Sequence, residues 1–540
     1  MRKPRREAWM ILGTVIVFFI AFLVAPLAIL LIHSFKTGQG IGLANYLAVI
    51  SEPGIGRAIR NSIQVSGLAA GITTVLAFAL AYAVNCTRIS YGLKTSIKIG
   101  VSIPMLLPTI TYGFAIIYSF GKQGLLTKFF GGELFHIYGF NGLLIGYVIY
   151  TLPSAFLLMN NSFCYIDKKF IVVSTLMGDG FLRSFVNTIL RPMIGTIGGA
   201  FVLSFILSFT DFGIPASIGG VYPVIATQLY QVMLGSIPNF EHGAVIAVLM
   251  LLPALFGVVF LHYIEKFNFH YDTLTFTDLP QNKLRDLGFA LFGIAAVTAI
   301  AAVFLVMFIA PLVSNYPYDM SFTTLFLRKA LFSNSLLEVY QNSIFVAVVS
   351  AALGTLISYS AAIINVRTAL SKRSKISLDL LSMITNSVPG MVLGLAYLLL
   401  FNGSDLKGTF IIIILCNIVH FFTTPYLMAK NSLSKLNPAW ETTGELMGDT
   451  WFGTIVRVII PNSMATIVEM FGYYFINTMV TISAVIFLVT ARTAVVTSKI
   501  KELQHFANFN EIFVLSILIF ITNISMKICC DLINKKLSSV

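Results

Sequence analysis

Twelve apolar runs, each of at least 22 residues, recur along the chain at roughly 9–32, 62–86, 96–121, 137–162, 192–217, 241–264, 287–313, 341–366, 376–402, 408–429, 462–488 and 510–534. About 20 apolar residues in a helix cross the hydrocarbon of a bilayer, so each run predicts one transmembrane helix. Composition agrees, with 57% hydrophobic and only 11% charged residues, against roughly 25% charged in a soluble domain. Forty-six phenylalanines exclude a disordered or fibrous chain. The predicted class is an all-α integral membrane protein of about twelve transmembrane helices.

The formal charge of +13 has no basic domain behind it, so a nucleic-acid partner is not expected. The charge follows topology instead. With an even span count both termini share one side, and 24 of the 35 Lys and Arg fall on that side, against 11 on the other. This is the positive-inside bias, which predicts a multi-pass protein of the cell membrane, in contact with lipid, with both termini cytoplasmic. Arg2-Lys3-Pro4-Arg5-Arg6 precedes the run from Trp9 to Ile32. That run exceeds the 7–15 apolar residues of a signal peptide, so a retained first span is expected. Cys86, Cys164, Cys416, Cys529 and Cys530 lie in or beside apolar runs without metal spacing, and they read as small buried residues.

The two sets of six spans resemble each other. At an offset of 281, Asn61-Ser62-Ile63 aligns with Asn342-Ser343-Ile344, Pro108 with Pro389, Gly113 with Gly394 and Phe120 with Phe401. After the third span the offset becomes 270: Asn161-Ser162 meets Asn431-Ser432, and Leu176-Met177-Gly178-Asp179 meets Leu446-Met447-Gly448-Asp449. Two six-helix repeats that begin on the same side are parallel. The predicted organisation is residues 1–268 as the first repeat, 269–286 as a cytoplasmic linker and 287–540 as the second.

The loops between the fourth and fifth spans of each half carry the strongest functional signal. Each predicts a short helix, a Gly-Asp break, a second helix, and a proline (Pro192 or Pro461) opening the next span. Gly can take the left-handed conformation that ends a helix, and Asp could cap the next one. Repetition of the same residues at matching places predicts a docking device for a cytoplasmic partner.

These loops resemble the "EAA" loop of permease subunits of bacterial ABC importers: E-A-A, three residues, Gly, nine residues, Ile, one residue, Leu-Pro. Gly448 to Pro461 has the family spacing of 13, with Val458 and Ile460 at apolar positions, and Gly178 to Pro192 is one residue longer. The E-A-A itself is replaced by Thr442-Thr443-Gly444, beside Glu441, and by Val172-Val173-Ser174. The resemblance covers both halves and implies a type I-like importer fold with two fused halves. It implies coupling to a cytoplasmic ABC ATPase, as a homodimer, through Met177, Gly178, Asp179, Glu441, Met447, Gly448 and Asp449.

The chain itself has no G-x-x-x-x-G-K-[ST] phosphate loop, since its only Gly-Lys pair, Gly121-Lys122, continues with Gln123. The outer segments at 34–60 and 314–340 are short, which implies a separate extracytoplasmic solute-binding protein. No catalytic set, metal-ligand pattern or cofactor motif is visible, so the chain is not read as an enzyme and no cofactor is expected.

Ionisable residues inside spans are pathway candidates. Asp211, in Thr210-Asp211-Phe212-Gly213-Ile214-Pro215, either caps a short helix or lines the outer mouth; Thr481 stands at its register in the second half. Glu469 lies about two turns into the eleventh span. Pro108 and Pro389 are expected to kink their spans and to serve packing or gating. The run at 211–220 is similar to the fused permeases of ferric-iron and 2-aminoethylphosphonate importers, with thiamine importers related. The expected function is inward movement of a small polar solute or ion, with ferric iron or an organophosphonate favoured. An ion-coupled secondary transporter with six plus six helices is the alternative, although the loop after the second span, Asn85 to Lys94, lacks the G-x-x-x-D-R-x-G-R-R pattern of the major facilitators.

Overall fold

The computed structural model describes residues 6–538 except 39, 164, 168, 265–281 and 369. Cys164 and most of the expected linker therefore lie outside the described residues. Among the described residues all twelve predicted runs are helical over most of their length, but they differ in continuity. Seven are single helices long and apolar enough to cross a membrane: Arg6–Phe35, Pro53–Cys86, Phe140–Phe163, Phe240–Leu261, Lys283–Leu312, Asn334–Arg367 and Phe509–Leu537. The other five are pairs of helices bent by 52° to 109°, which brings the total to twelve if each pair is one span.

The expectation for Pro108 and Pro389 needs correction. Neither kinks a continuous helix. Tyr91–Leu106 and Thr109–Phe130 meet at 109°, and Lys372–Ser387 and Gly390–Phe401 at 102°. Proline crowds the residue before it out of the helical region, and Leu107 and Val388 are both extended. The helix therefore stops, and the proline becomes the cap residue of a new one. Two further boundaries move. The fifth and eleventh spans end at Thr210 and Val480, short of the predicted 217 and 488.

The helices Pro53–Cys86 and Asn334–Arg367 have 34 residues each, about 51 Å at 1.5 Å per residue, well beyond a hydrocarbon core of roughly 30 Å. Their extra length explains why Asn-Ser is repeated. Ser62 Oγ accepts the Ile225 N–H at 2.9 Å, and Ser343 Oγ accepts the Val496 N–H at 2.7 Å. Asn61 and Asn342 donate to the carbonyls of Pro223 and Ala494. Each projecting helix thus pins the start of a short helix, Ile225–Leu234 or Val496–His505.

The repeats are not side-by-side bundles, because their first helices are exchanged. In the first span, the Phe22 carbonyl accepts the Tyr397 hydroxyl at 2.6 Å, and Phe19 packs on Phe422. The seventh span lies on the first repeat, where Gly100 meets Val297, Gly293 meets Ile97, and Ser119 donates to the Val303 carbonyl. The last span closes on the first repeat through Thr111–Ser516 at 2.9 Å and Asn523 to the Leu106 carbonyl at 3.0 Å. Buried hydroxyl and amide contacts of this kind suit an apolar solvent, where unmet polar groups are expensive. Of the cysteines, Cys86, Cys416 and Cys530 are buried, but Cys529 is exposed. It sits on the outward face of the last helix, one residue round from buried Cys530.

Candidate coupling loops and pathway

The two loops that the sequence singles out are built alike. Helices Lys169–Leu176 and Ala439–Leu446 each run into a glycine of positive φ, +78° at Gly178 and +80° at Gly448. The chain then folds back on the helix end: the Asp179 N–H reaches the Ser174 carbonyl at 3.1 Å, and the Asp449 N–H reaches the Gly444 carbonyl at 2.9 Å. Gly448 N–H also bonds to the Glu445 carbonyl. This left-handed closure is the reason for Gly.

The aspartates do not cap the second helices as expected. Thr450 does so in the second loop, its Oγ1 accepting the Gly453 N–H at 3.0 Å, and Gly180 occupies the cap position in the first. The closure uses one more residue than expected, which pushes the cap past Asp. Asp179 instead accepts the Ser174 hydroxyl at 2.8 Å and lies 3.4 Å from Arg183, while Asp449 accepts the Thr450 N–H and lies 3.5 Å from Arg457. The prolines also fall short of opening the next span. Five-residue wide turns of helix, Val186–Leu190 and Ile455–Ile459, lead into bends of 70° and 75°, and the spans start at Ile194 and Met464. Just beyond each start, Thr196 donates to Ser162 and Thr466 to Ser432, which gives the second repeated Asn-Ser its purpose.

At the tip of each loop two apolar side chains stand in solvent. Leu176 and Met177 are 82% and 79% exposed, and Leu446 and Met447 are 84% and 82% exposed. A flexible thioether exposed at a loop tip suits an adaptable contact with another protein. Met177 and Met447 were expected here. Their neighbours Leu176 and Leu446 were missed as site residues, although the repeated Leu-Met pair could have marked them.

Glu441 does something different from the rest of its set. Its carboxylate takes two bonds from Arg367, at 2.5 and 2.7 Å, and Arg367 also donates to the carbonyls of Leu436 and Asn437 at 2.9 Å each. The Arg367 side chain is only 4% exposed. A forked guanidinium on a carboxylate is a strong, oriented contact, and here it fastens the second loop to the end of helix Asn334–Arg367. Glu441 is therefore turned into the protein rather than towards a partner. Arg367 was missed because a basic residue ending a span reads simply as topology. In the first half Cys86 and Ile171 occupy the matching registers.

At the other end of the spans, Asp211 and Pro108 come together. Asp211 is buried, its Oδ2 accepting the Ile214 N–H at 2.8 Å, with a further bond from the Thr109 side chain. It thus ties the short helix Gly213–Ile218 to the helix that starts at Pro108. The approach is close enough to require glycine, because a Cβ on Gly213 would lie 2.1 Å from Thr109 Oγ1, and one on Gly113 would lie 2.0 Å from Ser217 Oγ. In the second half the helix capped by Pro389 meets the matching segment: a Cβ on Gly390 would lie 2.7 Å from Ser483 Oγ, and one on Gly394 would lie 2.4 Å from the Ala484 carbonyl oxygen. Thr481, at the register of Asp211, has nearly the same backbone angles. Glu469 stands apart, exposed at the opposite end, where Asn534 donates to it at 3.3 Å. Asp211→Asn keeps an acceptor for Ile214, and we expect unchanged thermal stability. Asp211→Leu leaves that N–H unmet, a loss of about 1–3 kcal/mol that should show as a lower Tm in detergent.

Residues 354–539 match the family described as binding-protein-dependent transport system inner membrane component. Similarity to individual proteins extends through both halves. The ferric transport system permease protein FbpB of Actinobacillus pleuropneumoniae is 26% identical over 505 residues, which is 90% of this chain and 72% of that protein. FbpB 1 of Haemophilus influenzae is also 26% identical, over 89% of this chain and 77% of its own length. The thiamine transport system permease protein ThiP of Haemophilus influenzae is 25% identical over 60% of each chain.

Proposed function

We propose that this chain, which belongs with the inner membrane components of binding-protein-dependent transport systems, is the fused two-half permease of a ferric iron importer. Binding-protein-dependent transport implies an ATPase and a solute-binding protein as partners. In our reading ATP is hydrolysed on a separate cytoplasmic homodimer, and a loaded binding protein docks at the outer face. The observation that carries this reading is the duplicated loop, with the same exposed Leu-Met pair beside the same left-handed glycine in both halves. Two matching contacts suit two copies of one ATPase. Closure of that dimer would draw the loops together and rock the halves so that the inner end shuts and the outer mouth opens; parting of the loops after hydrolysis would open the pathway inward. The Lys and Arg bias supports cytoplasmic termini, and the exchanged first helices allow residues 1–268 and 287–540 to move as interlocked repeats.

Iron as the cargo rests on the names of relatives that align with nearly the whole chain. The test is ATP hydrolysis by the permease–ATPase complex in liposomes, with the binding protein presented empty, iron-loaded or phosphonate-loaded. The iron-loaded form should stimulate hydrolysis several-fold over the empty one. Stimulation by the phosphonate-loaded form alone would replace iron with that substrate.

A further inference from the structure

The short helices Ile225–Leu234 and Val496–His505 lie at the end of the spans opposite the loops. Their starts are pinned by equivalent serines, Ser62 to Ile225 and Ser343 to Val496, so they are counterparts at an offset of 271. That register pairs Tyr230 with Lys501. These two counterparts face each other, with Lys501 Nζ 5.8 Å from the centre of the Tyr230 ring. A residue and its own repeat-mate come close only near the axis that relates the halves. The pair therefore marks the centre of the outer mouth.

Two cavities, of about 970 and 550 Å³, flank this point and share Tyr230, Lys501 and Gln504 in their walls. Gln504 is fixed by its bond to the Ala216 carbonyl at 2.8 Å, and its Oε1 accepts from Lys501 Nζ at 2.8 Å. One ammonium N–H is thus satisfied while others remain available to a ligand. Arg57, Glu338, Lys499, Glu502 and His505 also face the cavities, but Lys499 and Glu502 pair at 2.7 Å. Among the described residues no carboxylate lies within salt-bridge distance of Lys501. Burial pushes the Lys501 pKa down, as expected of a cation that has lost water without gaining an anion.

We propose that this cleft receives the transported solute as an anion, held by the Lys501 ammonium and the Tyr230 hydroxyl. This deepens the importer reading and rests on it for the direction of travel. For iron it means a negatively charged ferric chelate, because a bare ferric ion would be repelled by the lysine, whereas an anion gives the ammonium the charge partner it lacks.

The test is equilibrium dialysis of labelled ferric citrate and of inorganic phosphate against the purified permease–ATPase complex without binding protein. Co-elution with the ATPase checks that each variant is folded. Saturable binding of at least one anion is expected, weakened tenfold or more in Lys501→Gln, lost in Lys501→Glu and restored within about twofold in Lys501→Arg. Phosphate binding without ferric citrate binding would sustain the anion site while removing ferric citrate as its occupant, and the iron reading would then stand or fall on the iron-loaded binding protein. Absence of saturable binding by either anion, or wild-type binding by Lys501→Glu, would overturn the proposal.

Discussion

A chain carrying both Gly178→Arg and Gly448→Arg should reach the membrane yet recover at least tenfold less ATPase on purification, with uptake at background. Two physical effects add. Both glycines sit at φ near +80°, where a side chain costs roughly 1–2 kcal/mol. Neither has an atom of this chain within 4 Å of a new Cβ, so an arginine would project into the space that the proposed ATPase contact fills. Either change alone should give an intermediate loss, because one loop remains. Met177→Glu with Met447→Glu separates the effects, since it keeps the glycine turns and alters only the exposed tips. It should weaken ATPase recovery comparably, with no change in Tm. Full recovery in both double variants would remove the loops from coupling.

Arg367→Ala is the second large effect. It leaves the Glu441 carboxylate, with its side chain only 12% exposed, without its partner. Removing one member of a buried pair costs about 3–5 kcal/mol, so the Tm should fall by several degrees. Arg367→Met with Glu441→Leu should regain most of that stability, as apolar replacements of buried pairs often do. Uptake per ATP hydrolysed should still drop in this double variant, because the loop is no longer bolted to helix Asn334–Arg367. Wild-type coupling there would reduce the pair to a structural role.

Much of the architecture was legible because bilayer physics leaves few choices: every run long enough to cross became helical over most of its length, five of them as bent pairs. The repeat was legible in residues that proved to have shared jobs, such as Ser62 with Ser343 and Ser162 with Ser432. Local shape was harder to read. Proline signals a disturbance in a helix but not its size, and only the fold shows that the helix ends before Pro108 and before Pro389, with a new one leaving at 109° and 102°. Exchange of the first helices was invisible, since an apolar run carries no label for the helix it will meet. The left-handed glycines could be read from the Gly-Asp repeat, but the cap shifted one residue onward once the closure formed. Arg367 and Glu441 lie 74 residues apart, and only the fold shows that the pair points inward. Likewise the meeting of Tyr230 and Lys501 follows from the symmetry of two helices whose sequences differ there.

Whether an external ATPase drives this chain through its loops is decided by energising liposomes in two ways. Liposomes holding the permease, ATPase and loaded binding protein should accumulate iron with ATP on the ATPase side, and collapse of proton and sodium gradients should leave uptake unchanged. Uptake by the permease alone under an imposed ion gradient, without ATPase or ATP, would make the chain an ion-coupled secondary transporter instead.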